Sequence, residues 1–103
     1  MKEKQIKSKV YTMYKEGRVV KSEDEQEEIL GVVRLDPEVA YGNISTERSF
    51  TKGLPNYSSA KASVFVSVPA ALNEEEMEKA YRFAADFCEA KVAEVIKEMG
   101  GGK

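Results

Sequence analysis

Apolar residues recur at steps of four, three and four through Met77, Tyr81, Ala84, Cys88, Val92, Val95 and Met99. That spacing marks one face of an α-helix. Asn73 stands where an N-cap belongs, and Glu76 follows three residues later as in a capping box. Glutamates crowd the first turn, where the helix dipole favours them, and Gly100-Gly101-Gly102 supplies the stop. The pattern predicts a helix over 74–98 and a short tail over 100–103. Steps summing to eleven depart from the seven-residue repeat of a left-handed coiled coil. Such a helix is expected to lie on a sheet. Phe83 and Phe87 fall beside the apolar face, where they either widen the buried stripe or meet a second subunit.

A second periodicity precedes the helix. Ala60, Ala62, Val64, Val66 and Val68 alternate with Ser59, Lys61, Ser63, Phe65 and Ser67. This is a half-buried antiparallel strand with small residues beneath the helix, and Pro69 is expected to stop it. Residues 28–35 read as another strand, ending at Asp36-Pro37. Residues 44–52 read as a third, joined to the 59–68 strand by a tight turn at Gly53-Leu54-Pro55-Asn56. Residues 6–14 and 18–21 flank Glu16-Gly17 as a further hairpin, and the acidic stretch 22–28 reads as a loop by composition. Residues 1–21 are thus basic N-terminal strands and 28–69 hold the remaining strands. The sum is an α+β fold: an antiparallel sheet of about four strands, then one long C-terminal helix packed on one face.

A chain of 103 residues makes one domain, 1–103. With 42% hydrophobic and 33% charged residues it has too much apolar material for a disordered chain. Its poor surface-to-volume ratio makes added burial in a homodimer an expectation. The single cysteine forms no internal disulfide, Met1 to Lys9 shows no apolar signal core, and no apolar run approaches a bilayer span. The expected compartment is therefore cytoplasmic, with no membrane partner. Asn43-Ile44-Ser45 and Asn56-Tyr57-Ser58 match the glycosylation pattern, which counts for little without a secretory route.

Net charge is −2, yet the charges are segregated. Lysine and arginine dominate 1–21; Glu23, Asp24, Glu25, Glu27 and Glu28 follow with no base among them; the last third is acidic again. Segregation of this kind suits a molecule with one basic face, and equally an ordinary solvated surface.

Nothing in the chain assembles a catalytic centre. There is no histidine, so the commonest general base and metal ligand is missing. Cys88 falls mid-helix on the apolar face and reads as a core thiol. The acidic clusters lack the spacing of a calcium loop, and no glycine-rich phosphate cradle occurs. No catalytic residue, metal site or cofactor is expected, and the chain reads as a binding module.

If the helix covers Ala60, Ala62, Val64, Val66 and Val68, the opposite face carries Lys61 and Phe65. A ring and a cation at alternate positions of an open sheet suit a single strand, whose bases stack while its phosphates meet the cation. The neighbouring strand is expected to add Arg48, Phe50 and Lys52, the turn Tyr57, and the N-terminal strands Lys9, Tyr11, Tyr14 and Arg18. The competing reading makes Phe65 and Phe50 a second small core or a dimer interface.

The run from Arg48 through Lys52-Gly53-Leu54-Pro55-Asn56-Tyr57-Ser58-Ser59-Ala60-Lys61, followed by the alternating strand to Pro69 and an acidic helix, resembles a group of small phage-type and mobile-element proteins. These combine an Asn-Tyr turn, a Ser-x-Lys strand, a proline and a terminal helix. The layout is also similar to that of ThermoDBP-type single-stranded DNA-binding proteins. The resemblance covers roughly residues 45–99. Leu54-Pro55 stands where the pattern has glycine before Asn-Tyr, and only Tyr57 and Lys61 carry over as site residues. It implies a virus-associated role in DNA transactions. With the ring-and-lysine sheet face, the expected function is a sequence-tolerant single-stranded nucleic-acid binder in phage or mobile-element replication or recombination. The alternative is a non-enzymatic protein-interaction or assembly module, which the net negative charge favours.

Overall fold

In a computed structural model the described residues, 2–99, form four strands and one helix. The strands are β1 (Lys2–Glu16), β2 (Val19–Leu35), β3 (Tyr41–Leu54) and β4 (Ser58–Ala71), and the helix is α1 (Glu74–Met99). All pairings are antiparallel, in the order β2-β1-β4-β3. The α+β expectation holds. The strands are long, and 17 residues of β2 at about 3.3 Å each account for the 57 Å extent of the molecule. The expected Gly100-Gly101-Gly102 stop lies outside the described residues.

Two sequence boundaries move. The acidic stretch 22–28 is not a loop but the middle of β2. It is paired throughout with basic β1, and Lys9 reaches both Glu25 and Glu27, at 3.6 and 3.4 Å. Exposed pairs of this kind add little to stability; the backbone ladder carries the strand, and opposite charges across it remove the repulsion that would otherwise open it. Two register shifts, leaving Leu30 and Lys21 without a β1 partner, break the alternation of β2 and make one strand read as several pieces. Pro69 does not end β4, which continues to Ala71. Pairing with β1 stops at Ser67, so Pro69 has β3 as its single neighbour, the edge-like setting in which proline is tolerated.

The core lies between α1 and the β3–β4 side of the sheet. Val64, Val66, Val68 and Ala70 are buried against Ala80, Ala84 and Cys88, with Val10, Ile44, Phe87 and Val92 half-buried around them. The small residues on both surfaces let the helix approach closely. The buried face of α1 is rotated from the expected one: Ala80 is inside, while Tyr81 is 56% and Met77 36% exposed. Asn73 caps the helix, its Oδ1 accepting from the Glu76 amide at 2.9 Å. The Cys88 thiol is wholly buried, within 3.4 Å of the Val64 carbonyl and 3.3 Å of Thr46 Oγ1. That position fits a core thiol.

Hairpin geometry fixes the far end. Gly17 takes a positive φ of 61° in the β1–β2 turn. In the β3–β4 turn both central residues, Asn56 and Tyr57, have positive φ (62° and 61°), and the Ser58 amide donates to the Pro55 carbonyl at 3.3 Å. Two successive left-handed residues have the φ signs of a type I′ turn, set in a three-residue connection because Leu54 pairs with Ser58. The Gly17 amide donates to the Tyr57 carbonyl at 3.0 Å and ties the two tips together.

Candidate nucleic-acid interface

Residues directly opposite in an antiparallel ladder share a face, so the registers sort every strand residue onto one side of the sheet. Val64 and Val66 are under α1, so Phe65 points to the open face. Across the sheet, Glu47, Phe65, Lys9 and Glu27 form one row of that face. The adjoining rows are Ser49, Ser63, Tyr11 and Glu25, then Thr51, Lys61, Met13 and Glu23. Lys7 and Ser67 extend the face one way, Lys15 and Ser59 the other.

The same registers divide the expected site. Lys61 and Phe65 are together on the open face. Arg48, Phe50 and Lys52 are not: they pair with Val64, Ala62 and Ala60, which places them on the helix side of β3. The expectation that β3 adds its ring and cations to the open face is thereby corrected. Alternation within each strand leaves the relative phase of the two hairpin strands open, and only the register across the turn fixes it. Tyr57 is at the tip, 93% exposed, on neither face. Of the additions expected from the N-terminal strands, Lys9 and Tyr11 are on the open face, whereas Tyr14 pairs with Ala60 on the helix side and Arg18 lies in the β1–β2 turn. The β1 residues the sequence reading left out are Lys7, Met13 and Lys15. β1 is a central strand, and it puts Lys7, Lys9, Tyr11, Met13 and Lys15 beside β4 on the open side. The alternation of lysine with tyrosine and methionine over 7–15 was the available signal.

The open face is striped by strand: acidic on β2, basic and aromatic on β1, seryl with Phe65 and Lys61 on β4, and hydroxyl-rich on β3 with Glu47. Phe65 is 37% exposed and Tyr11 half-buried. Lys9 is held above the ordinary lysine range, first by its hydrogen bond to Glu27 and then by the charges of Glu25 and Glu27. The Tyr11 hydroxyl is also raised, first by burial and then by the Glu23 carboxylate. Lys9 is thus spoken for by β2. Lys7, Lys15 and Lys61 are the open-face cations without an ion pair among the described residues. Phe83 and Phe87 stack on each other along α1 with ring centroids 6.4 Å apart. No group of metal-ligating side chains occurs among the described residues, and no helix there is long and apolar enough to cross a membrane.

No protein-family model matches the chain, and comparison with curated proteins and with solved structures finds no significant relative.

Proposed function

We propose that the open face binds single-stranded nucleic acid, tolerant of sequence, along a track over β1 and β4. The carrying observation is the adjacency of Phe65 and Tyr11 with Lys7, Lys15 and Lys61 on one exposed surface. Unpaired bases stack on the rings, and the lysines at both ends of the track meet phosphates. From Lys15 to Lys7 the track runs roughly 26 Å at about 3.3 Å per residue. The acidic row of β2 repels phosphate and bounds the track on that side. Arg48, Phe50 and Lys52 have no part in it.

A titration of a labelled thirty-base oligo-dT at several salt concentrations tests this. Three lysine–phosphate contacts give a slope of log K against log salt of about −2, from roughly 0.7 per contact on single strands. Duplex DNA of the same length should bind poorly, because its bases do not reach a ring. No binding at low salt sinks the proposal. A protein partner is the second reading, favoured by the Glu25–Lys9–Glu27 cluster and the net charge of −2.

A further inference from the structure

The sheet has two edges, and they differ in protection. The β2 edge carries a run of five acids and two register irregularities, features that discourage pairing with another strand. The β3 edge has neither. From Tyr41 to Leu54 it contains no proline and no register shift, and its only charges are Glu47, Arg48 and Lys52. Among the described residues its outward backbone groups have no strand partner.

We propose that β3 is the edge through which two copies of this chain join, antiparallel about a two-fold axis at Ser49, into one eight-stranded sheet. Charge and ladder length together select the register: axes at Thr51 or beyond, or at Ser45 or before, oppose fewer residues of β3 than an axis at Ser49 does, and charge decides among the central ones. A two-fold axis perpendicular to the sheet keeps both helices on one side, so opposed residues must share a face and the axis passes through a residue. An axis at Glu47 sets glutamate against glutamate, one at Arg48 sets arginine against arginine, and one at Phe50 sets Arg48 against Lys52. An axis at Ser49 has none of these clashes. It sets Arg48 across from Phe50, Ile44 across from Leu54 and Glu47 across from Thr51, each twice. An axis at Thr46 also avoids like charges but sets Phe50 against Gly42, with no side chain to meet.

The helix supplies independent support. Phe83 lines a cleft with Val33 and Leu35 of β2, so that flank of α1 looks toward β2. Tyr81, two residues and about 200° away, lies on the flank toward the β3 edge, with Met77 beside it. Both are exposed in the single chain. α1 packs over β3 and β4, so joining two β3 edges about 4.8 Å apart brings the two helices to roughly 10 Å, a normal packing distance for helices. The pairing thus covers Tyr81 and Met77. It does not depend on what the open face binds.

Sedimentation equilibrium of the full chain and of Thr51→Glu and Thr51→Lys tests the register. Wild type should reach twice its 11.5 kDa mass. Thr51→Glu opposes the partner's glutamate twice per dimer and should raise the dissociation constant about ten-fold; Thr51→Lys should lower it by a similar factor. Within one chain Thr51 is across from Lys61, so the glutamate variant should fold at least as well as wild type, and loss of its dimer is not unfolding. Thr51→Lys faces Lys61 of its own chain, so circular dichroism first confirms that it is folded; should the glutamate variant fail to fold, the folded Thr51→Lys decides. A wild type that stays monomeric to several hundred micromolar overturns the proposal. So does a dimer whose dissociation constant moves with neither variant.

Discussion

Replacing Tyr57 by glycine should stabilise this protein, although a tyrosine is usually a contributor. Tyr57 sits at φ 61°, in the left-handed region where a side chain costs about 1–2 kcal/mol. Its ring is 93% exposed, so it packs against little that glycine would give up. Glycine relieves the strain but adds freedom to the unfolded chain, offsetting roughly 0.4–1 kcal/mol. The net is a gain of about 0.5–1 kcal/mol, or roughly 3–6 °C in Tm for a domain of this size. Asn-Gly is also the preferred pair for a type I′ turn. Urea unfolding followed by circular dichroism reads the effect. Tyr57→Ala is the control: it keeps the Cβ and the strain, and should stay within about 0.5 kcal/mol of wild type. A destabilised glycine variant would refute the reasoning, because it would mean that the ring or the Gly17–Tyr57 hydrogen bond depends on the tyrosine itself. A stabilised variant means the fold holds tyrosine there at a cost, as expected of a residue kept for an interaction.

Cys88→Ala should cost about 1 kcal/mol by urea unfolding, because the sulfur's packing is given up and a small cavity is left beside Val64 and Thr46; a wild-type thiol that reacts with an aromatic disulfide reagent as fast as a free thiol would contradict its burial. Stability should also fall at alkaline pH. The folded-state pKa values of Lys9 and Tyr11 are both raised, so their contributions are fully present below the unfolded values, near 10, and are lost as pH rises through the folded ones. Thermal melts between pH 7 and 11 check this, with Tyr11→Phe expected to flatten part of the decline; a melting temperature that rises above pH 10 would contradict the sign.

The helix, its cap and the alternating strand were legible because each rests on a local period: Asn73 and Glu76 three apart, Ala60 to Val68 at every second position. The hairpin at Glu16-Gly17 was legible from a local turn signal, a glycine between two strand segments. The acidic part of β2 was not, because composition suggested a solvated loop and the stabilising lysines lie on β1, far away in sequence. The site divided along the same line. Phe65 and Lys61 follow from the alternation within β4 alone. The side on which Phe50 falls depends on how many residues the turn inserts, and the Pro55–Ser58 turn places Phe50 opposite Ala62 instead of Lys61. Tyr11 was present in the sequence, but nothing local told that β1 is central and adjoins β4.

Whether the ligand is received by the open face, and not by the helix side of β3, turns on two aromatic residues. Anisotropy of a labelled thirty-base oligo-dT against wild type, Phe65→Ala and Phe50→Ala, each first shown by circular dichroism to be folded, separates the two faces. Loss of one stacking platform worth roughly 1–3 kcal/mol should weaken the Phe65→Ala complex about ten-fold or more and leave the Phe50→Ala complex unchanged. Equal affinities for all three, or a loss confined to Phe50→Ala, would contradict binding at the open face.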